Sequence, residues 1–256
     1  MANRTVYLPV APPGATLRRD AWWAGPAATV VVLGGFIVYA TWRAFEGTDY
    51  TYGAYLSPFY SPFFDVGWAH AWGLRFFTPA MLILPGPASF RFTCYYYRKA
   101  YYRAFAWDPP ACAVGERAPH RYQGETRLLL FQNLHRYALY VALVFLVVLW
   151  KDAIVAFVGW KDGVHAGIGS LVMLVNVVLI SAYTFGCHSF RHLIGGGVNT
   201  YSTAPLGNFR HGLWKLATLF NERHMLFAWM SLFSVALTDL YIRQVASGQL
   251  ADLRLF

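Results

Sequence analysis

From Ala21 to Trp42 the chain runs 22 residues without a charged side chain. A helix of that length, rising about 1.5 Å per residue, covers the roughly 30 Å hydrocarbon core of a bilayer. Four more apolar stretches follow, at about 66–90, 137–157, 163–187 and 225–242. The second contains Arg75. The third carries Lys151 and Asp152 near its far end, and the last carries Asp239 near its end. With 57% hydrophobic and 13% charged residues, the chain lacks the charge to cover a soluble surface, which uses about 25%. The expected fold is all-α: a polytopic membrane protein with a five-transmembrane-helix bundle in a single domain, residues 1–256.

Basic residues orient this bundle. Segments 1–20, 91–136 and 189–223 hold three, eight and four Lys and Arg, 15 of the 21 in the chain. Such residues collect in cytoplasmic loops, so the N-terminus is expected in the cytoplasm and the C-terminus outside. That bias also accounts for the net charge of +9, and without a recognition motif it gives no reason to expect nucleic-acid binding. The first twenty residues show neither a continuous apolar core nor a small-residue cleavage site, so no signal peptide is expected. Residues 46–65 hold no Lys or Arg and several aromatics, which suits a cap on the outer interface. Gly195-Gly196-Gly197 in the second cytoplasmic loop should end a helix.

The stretch Arg91–Cys112, RFTCYYYRKAYYRAFAWDPPAC, is strongly basic and holds five tyrosines, too polar and too aromatic for a plain loop. Three cysteines are an odd number and make no disulfide framework. All three, with six of the eight histidines, fall on the cytoplasmic side of the expected topology. Thiolate and imidazole are the usual ligands of iron, zinc and iron–sulfur centres. The expected metal ligands are Cys94, Cys112, Cys187, His188 and His192, with His120, His135 and His224 in reserve. If the fourth helix continues through CHSFRH, His188 and His192 share a face. Two Cys and two His match a Rieske-type [2Fe–2S] centre and also a structural zinc site. Ordinary hydrogen bonds among interfacial side chains are the plainer alternative. A haem b alternative needs facing histidines, either His70 with His165 or His135 with His188.

A quinone pocket can be drawn from Arg91, Tyr95, Arg98, Tyr102 and Trp107, with Asn133 and His135 at the mouth of the third helix. The same residues also suit an interfacial aromatic belt. Arg75 inside a span is expected to be functional or paired. Lys151, Asp152 and Asp239 are expected to snorkel to the interface.

The runs TCYYYRKAYYR from Thr93, DPPACAVGE from Asp108, QNLHRY from Gln132, CHSFRH from Cys187 and ERHMLFAW from Glu222 carry a resemblance. Over nearly its whole length the chain resembles the single-chain, five-helix membrane anchor subunit of succinate dehydrogenase and fumarate reductase (complex II), in an actinobacterial-like form. That resemblance implies a cell-membrane protein among phospholipids, bearing an iron–sulfur subunit and a flavoprotein subunit on its cytoplasmic face. Electrons would pass from succinate through flavin and iron–sulfur clusters to menaquinone or ubiquinone. The anchor alone would not oxidise succinate, and a higher oligomer is compatible. The well-known five-helix anchors carry two b haems with ligands on four helices, including the first. Here the first helix has no His, which favours the Cys/His [2Fe–2S] centre. A transporter or assembly scaffold without cofactor is the reading from another class.

Overall fold

The computed structural model describes residues 11–117, 128–161 and 163–255; His120 lies outside them. Four of its helices are long and apolar enough to cross a membrane. These are α1 (Ala24–Glu46), α6 (Leu128–Val158), α7 (Ile168–Phe185) and α10 (His224–Ala246). Gly47 at φ +68° ends α1 in the left-handed conformation that glycine adopts freely. At the centre of the bundle α7 packs against both α6 and α10, and α1 lies at the edge. Polar side chains inside the bundle pair across helices, as Trp150 does with Ser181 (3.0 Å) and Ser234 with Asn176 (3.1 Å).

The expected span at 66–90 is not one helix. Gly67–Ala71 forms a short helix α2, followed by a turn in which Arg75 is exposed, so no charge lies inside a span there. The deeper path begins at Pro79 and is built from α3 (Pro79–Ile83), α4 (Pro85–Thr93) and α5 (Tyr95–Tyr101). Each of the first two opens on a proline, whose missing N–H costs nothing in a first turn. Pro85-Gly86-Pro87 therefore starts a helix. Thr78 bonds the Ala44 carbonyl at one end of α1, and α4 runs along α6.

The far end of the bundle, around Asp239, is plugged rather than merely capped. A hairpin pairs Thr51–Tyr52 (β1) with Tyr55–Leu56 (β2), and a 3-10 turn follows at Pro58–Tyr60. Tyr55, Phe59 and Tyr60 are buried. Asp239 and Arg243 are buried too, which corrects the expectation that Asp239 snorkels. Arg243 donates to Asp239 at 2.9 Å and to Glu46 at 2.9 Å, Tyr39 donates to Asp239 at 2.7 Å, and Arg43 donates to Glu46 at 2.6 Å. Asp152 likewise accepts from Ser61. Asp239 and Arg243 stay inside because each has its charged partner there.

A C-terminal strap closes the same end. Ile168 N–H donates to the Leu253 carbonyl and Leu255 N–H to that of Ala166. Asp252 receives Tyr55 and Tyr241 hydroxyls, each at 2.7 Å, and the Gly169 N–H at 3.0 Å. Burial pushes the Asp252 carboxyl up, but these bonds outweigh it and hold its pKa below the ordinary carboxylate value. The strap is therefore most stable above that value, where folded and unfolded carboxyl are both ionised. Its stabilisation is lost as pH falls through the lowered pKa. Protection factors for hydrogen exchange at the Ile168 and Leu255 amides should fall as pH drops below about 4, and should be low at every pH in Asp252→Asn.

At the opposite end the chain turns through α5, a π-helical turn at Tyr102–Ala106, α8 (His188–Gly195) and α9 (Gly207–Glu222). Helix α8 ends at the expected glycines.

Candidate functional site

Two of the cysteines stand where helices break. Cys94 joins α4 to α5 with ψ 128°, and Cys187 joins α7 to α8 with ψ 140°. Both backbones are extended, so each residue caps the helix after it and turns its side chain out of helical register. Gly186 makes the second break possible. A Cβ there would stand 3.0 Å from the Phe220 carbonyl group and 2.9 Å from the Ala182 oxygen. Asn221 donates to the Gly186 carbonyl at 2.7 Å, tying α9 to the joint. Gly186→Ala should therefore cost about 1–3 kcal/mol, read as a lowered Tm of the purified protein; an unchanged Tm would mean that α9 yields freely.

The two thiols are buried and each meets one imidazole. His135 Nε2 lies 2.9 Å from Cys187 Sγ, and His224 Nε2 lies 3.7 Å from Cys94 Sγ. His135 comes from the first turns of α6, and His224 is the first residue of α10. The pairs are neighbours: Cys94 and Cys187 belong to one buried cluster with Phe90, Tyr97 and Tyr183, and His224 lies within electrostatic reach of His188 and His135. Four side chains from the ends of four helical segments thus converge.

Their surroundings fix them. Thr93 donates its hydroxyl to the Ser89 carbonyl at 2.7 Å, so its oxygen accepts from His135 Nδ1 at 3.0 Å. That assigns the His135 proton to Nδ1 and turns the Nε2 lone pair to Cys187, the arrangement by which metal-bound imidazoles are held. Phe90 stacks on His135 with centroids 4.7 Å apart, and Tyr183 stacks on His224 at 5.0 Å. His224 Nδ1 is buried and has no hydrogen-bond partner among the described residues. Arg91 reaches Tyr97 at 2.6 Å, Ser231 at 2.9 Å and the Ala228 carbonyl at 3.2 Å, with its guanidinium 4.7 Å from the Tyr183 ring centroid.

Among the described residues no three Cys, His, Asp or Glu side chains are placed to hold one metal ion. Two Cys and two His in neighbouring pairs suit a two-iron cluster better than a single ion, because each iron then needs only two protein ligands. An orphaned buried imidazole nitrogen and a tautomer fixed toward a thiol both fit such a group.

Several expected residues lie elsewhere. Cys112 is exposed beside the N-terminal segment, where Arg18 bonds its carbonyl and Thr16 that of Ala113. His188 and His192 are exposed on α8, because α7 stops at Phe185 and does not carry them inward. Of the reserves, His135 and His224 stand beside the two buried thiols. The haem pair of His70 with His165 does not form: His70 is exposed and bonds the Phe77 carbonyl of its own loop, and His165 stacks on Trp160 near Asp252. His188 is exposed on the rim, within electrostatic reach of His135 and His224. Of the quinone set, Arg91 adjoins the site. Arg98 is buried with its guanidinium over Phe131, whereas Tyr95 and Asn133 are exposed. Trp107 packs edge-on to Trp22, and Tyr102 on Tyr101. Thr93, Phe90 and Tyr183 were missed, since nothing in their spacing marks them.

Next to the site a cavity of about 470 Å³ opens between α1, α4, α6 and α7, with Phe90, Arg91 and Tyr183 in its wall. Its size is that of a small-molecule pocket.

A family model described as actinobacterial succinate dehydrogenase subunit SdhC matches residues 24–248. The chain belongs to that family. A chain of the solved structure "Mycobacterium smegmatis Sdh1 complex in the apo form" is 41% identical, with a TM-score of 0.81 over 100% of this chain and 98% of the other. No curated protein matches. The SdhC assignment agrees with the resemblance in the cysteine and histidine motifs, and it makes the chain a membrane subunit of an oxidoreductase complex. Cys94, Cys187, His135 and His224 all fall within the span the family model matches.

Proposed function

We propose that this SdhC subunit anchors a succinate:quinone oxidoreductase and conducts electrons within it, with Cys94, Cys187, His135 and His224 holding a [2Fe–2S] centre of mixed thiolate and imidazole ligation. The observation that carries this reading is the convergence of those four side chains from four helical segments, with the His135 proton fixed away from the sulfur. When bound, such a centre supplies one-electron transfer. The chain's own residues do the rest. Thr93 orients His135, Phe90 and Tyr183 wall the imidazoles from lipid and water, and Arg91 keeps a positive charge beside the cavity. A quinone, menaquinone or ubiquinone, takes the electrons from that cavity.

The basic, cysteine-bearing end faces the cytoplasm in this reading and receives an iron–sulfur subunit, which in turn carries the flavoprotein that oxidises succinate. The protein lies in the cell membrane, N-terminus inside, with the broken α3–α5 path as its fifth crossing. Electron paramagnetic resonance of the purified, dithionite-reduced complex tests the reading. A rhombic [2Fe–2S] signal of mixed ligation is expected beyond those of the soluble subunits; its absence from an intact, quinone-active complex would refute the centre. A sharp b-type absorption band would replace it by haem.

A further inference from the structure

Tyr183 faces two ways. Its ring stacks on the His224 imidazole and meets Phe90, the ring that covers His135, at 5.5 Å. It also lines the cavity. Its hydroxyl is buried and has no hydrogen-bond partner among the described residues, whereas a buried phenol ordinarily finds one. Arg91 beside it is different, since three of its five N–H donors already serve Tyr97, Ser231 and the Ala228 carbonyl. Apart from Arg91, Tyr183 and two threonines, the cavity wall is aliphatic and aromatic. What fits such a space is a flat apolar molecule with an acceptor oxygen at one edge. A lipid acyl chain satisfies the walls but leaves the hydroxyl unpaired. A ring ketone on an isoprenoid tail satisfies both.

We propose that the Tyr183 hydroxyl donates a hydrogen bond to a carbonyl oxygen of a quinone bound in this cavity, holding the quinone ring against the residue that stacks on His224. The inference rests on the electron-transfer reading above and names the contact by which the acceptor is positioned. It places the acceptor one aromatic ring away from the Cys/His site. The Arg91 guanidinium, over the same tyrosine ring, favours charge arriving on the quinone oxygen.

The test uses the whole complex with a short-chain naphthoquinone as acceptor. Tyr183→Phe keeps the stacking ring and removes only the hydroxyl. KM for the naphthoquinone is expected to rise roughly tenfold, with kcat changed less than threefold and reduction of a phenazine dye by the soluble subunits unchanged. With a quinone labelled at its carbonyl carbons, the infrared carbonyl band should lie lower in the parent complex than in the variant. A KM within twofold of the parent and an unmoved band would overturn the proposal. Should Tyr183→Phe not assemble, Ala88→Phe fills the mouth of the cavity from an exposed position of α4. It should suppress quinone but not dye reduction, and full quinone activity there would overturn the proposal. Loss of the expected paramagnetic signal in the parent complex would refute the metal centre and leave these readouts standing. An unchanged KM with that signal present would remove only the hydrogen bond.

Discussion

Cys187→Ser in the assembled complex should abolish the rhombic signal and lower quinone reduction more than about a hundredfold, with phenazine-dye reduction intact. Serine is a good helix cap, and Cys187 Sγ accepts the Ser189 N–H at 3.3 Å in that role. The substitution therefore keeps the start of α8 and removes only the soft ligand, which separates a metal role from a structural one. Cys94→Ser should behave alike, since its thiol is equally buried and meets His224. Thr93→Val removes the acceptor that fixes the His135 tautomer and should give an intermediate loss, about 10- to 100-fold in cluster retention. Cys112→Ser and His192→Ala should leave both signal and rate within twofold of the parent, because those residues are exposed and away from the pairs. The ligand assignment fails if Cys187→Ser keeps the signal, or if Cys112→Ser loses it.

Asp239→Ala should be among the most destabilising single changes in the chain. Asp239 has no exposed surface and accepts Tyr39, Ser57 and Arg243. Its removal leaves the Arg243 guanidinium, 3% exposed, with Glu46 as its one remaining ion-pair partner among the described residues. Breaking one side of a buried pair costs about 3–5 kcal/mol, whereas replacing both partners by apolar groups of similar size is often near neutral. Thermal unfolding in detergent should show a large loss for Asp239→Ala and substantial recovery in Asp239→Leu with Arg243→Met, where Glu46 keeps Arg43 at 2.6 Å. A double variant no better than the single one would mean that the hydrogen bonds to Tyr39 and Ser57, rather than the charge, hold this end.

The membrane class and four of the spans were legible because apolar runs need no tertiary information, and the family because the cysteine- and histidine-bearing motifs carry its resemblance. The site was legible only as a neighbourhood. Cys94 and Cys187 stand out by residue type, but their partners depend on where helices break. Reading α7 as continuous put His188 and His192 on an inward face. The break at Gly186 depends on how closely α9 approaches, a tertiary fact, and it turns both histidines outward. Arg75 and Asp239 failed for opposite reasons. A turn after α2 lifts Arg75 out of the bundle, and three partners, two of them from distant segments, draw Asp239 in. Tyr183, four residues before Cys187, looks like any aromatic in a span until His224 is placed against it.

The stacking of Phe90 on His135 and of Tyr183 on His224 has a kinetic meaning. Both imidazoles are held by flat, closely packed walls, and one of them also by Thr93. Packed interiors deform little, so a charge that appears or disappears at these side chains finds surroundings that barely move. If the proposed centre passes electrons, the nuclear reorganisation accompanying each passage is small in such a setting. A site at the membrane surface, where water and headgroups must turn to follow each change of charge, has no such advantage. The aromatic walls therefore favour speed as well as position.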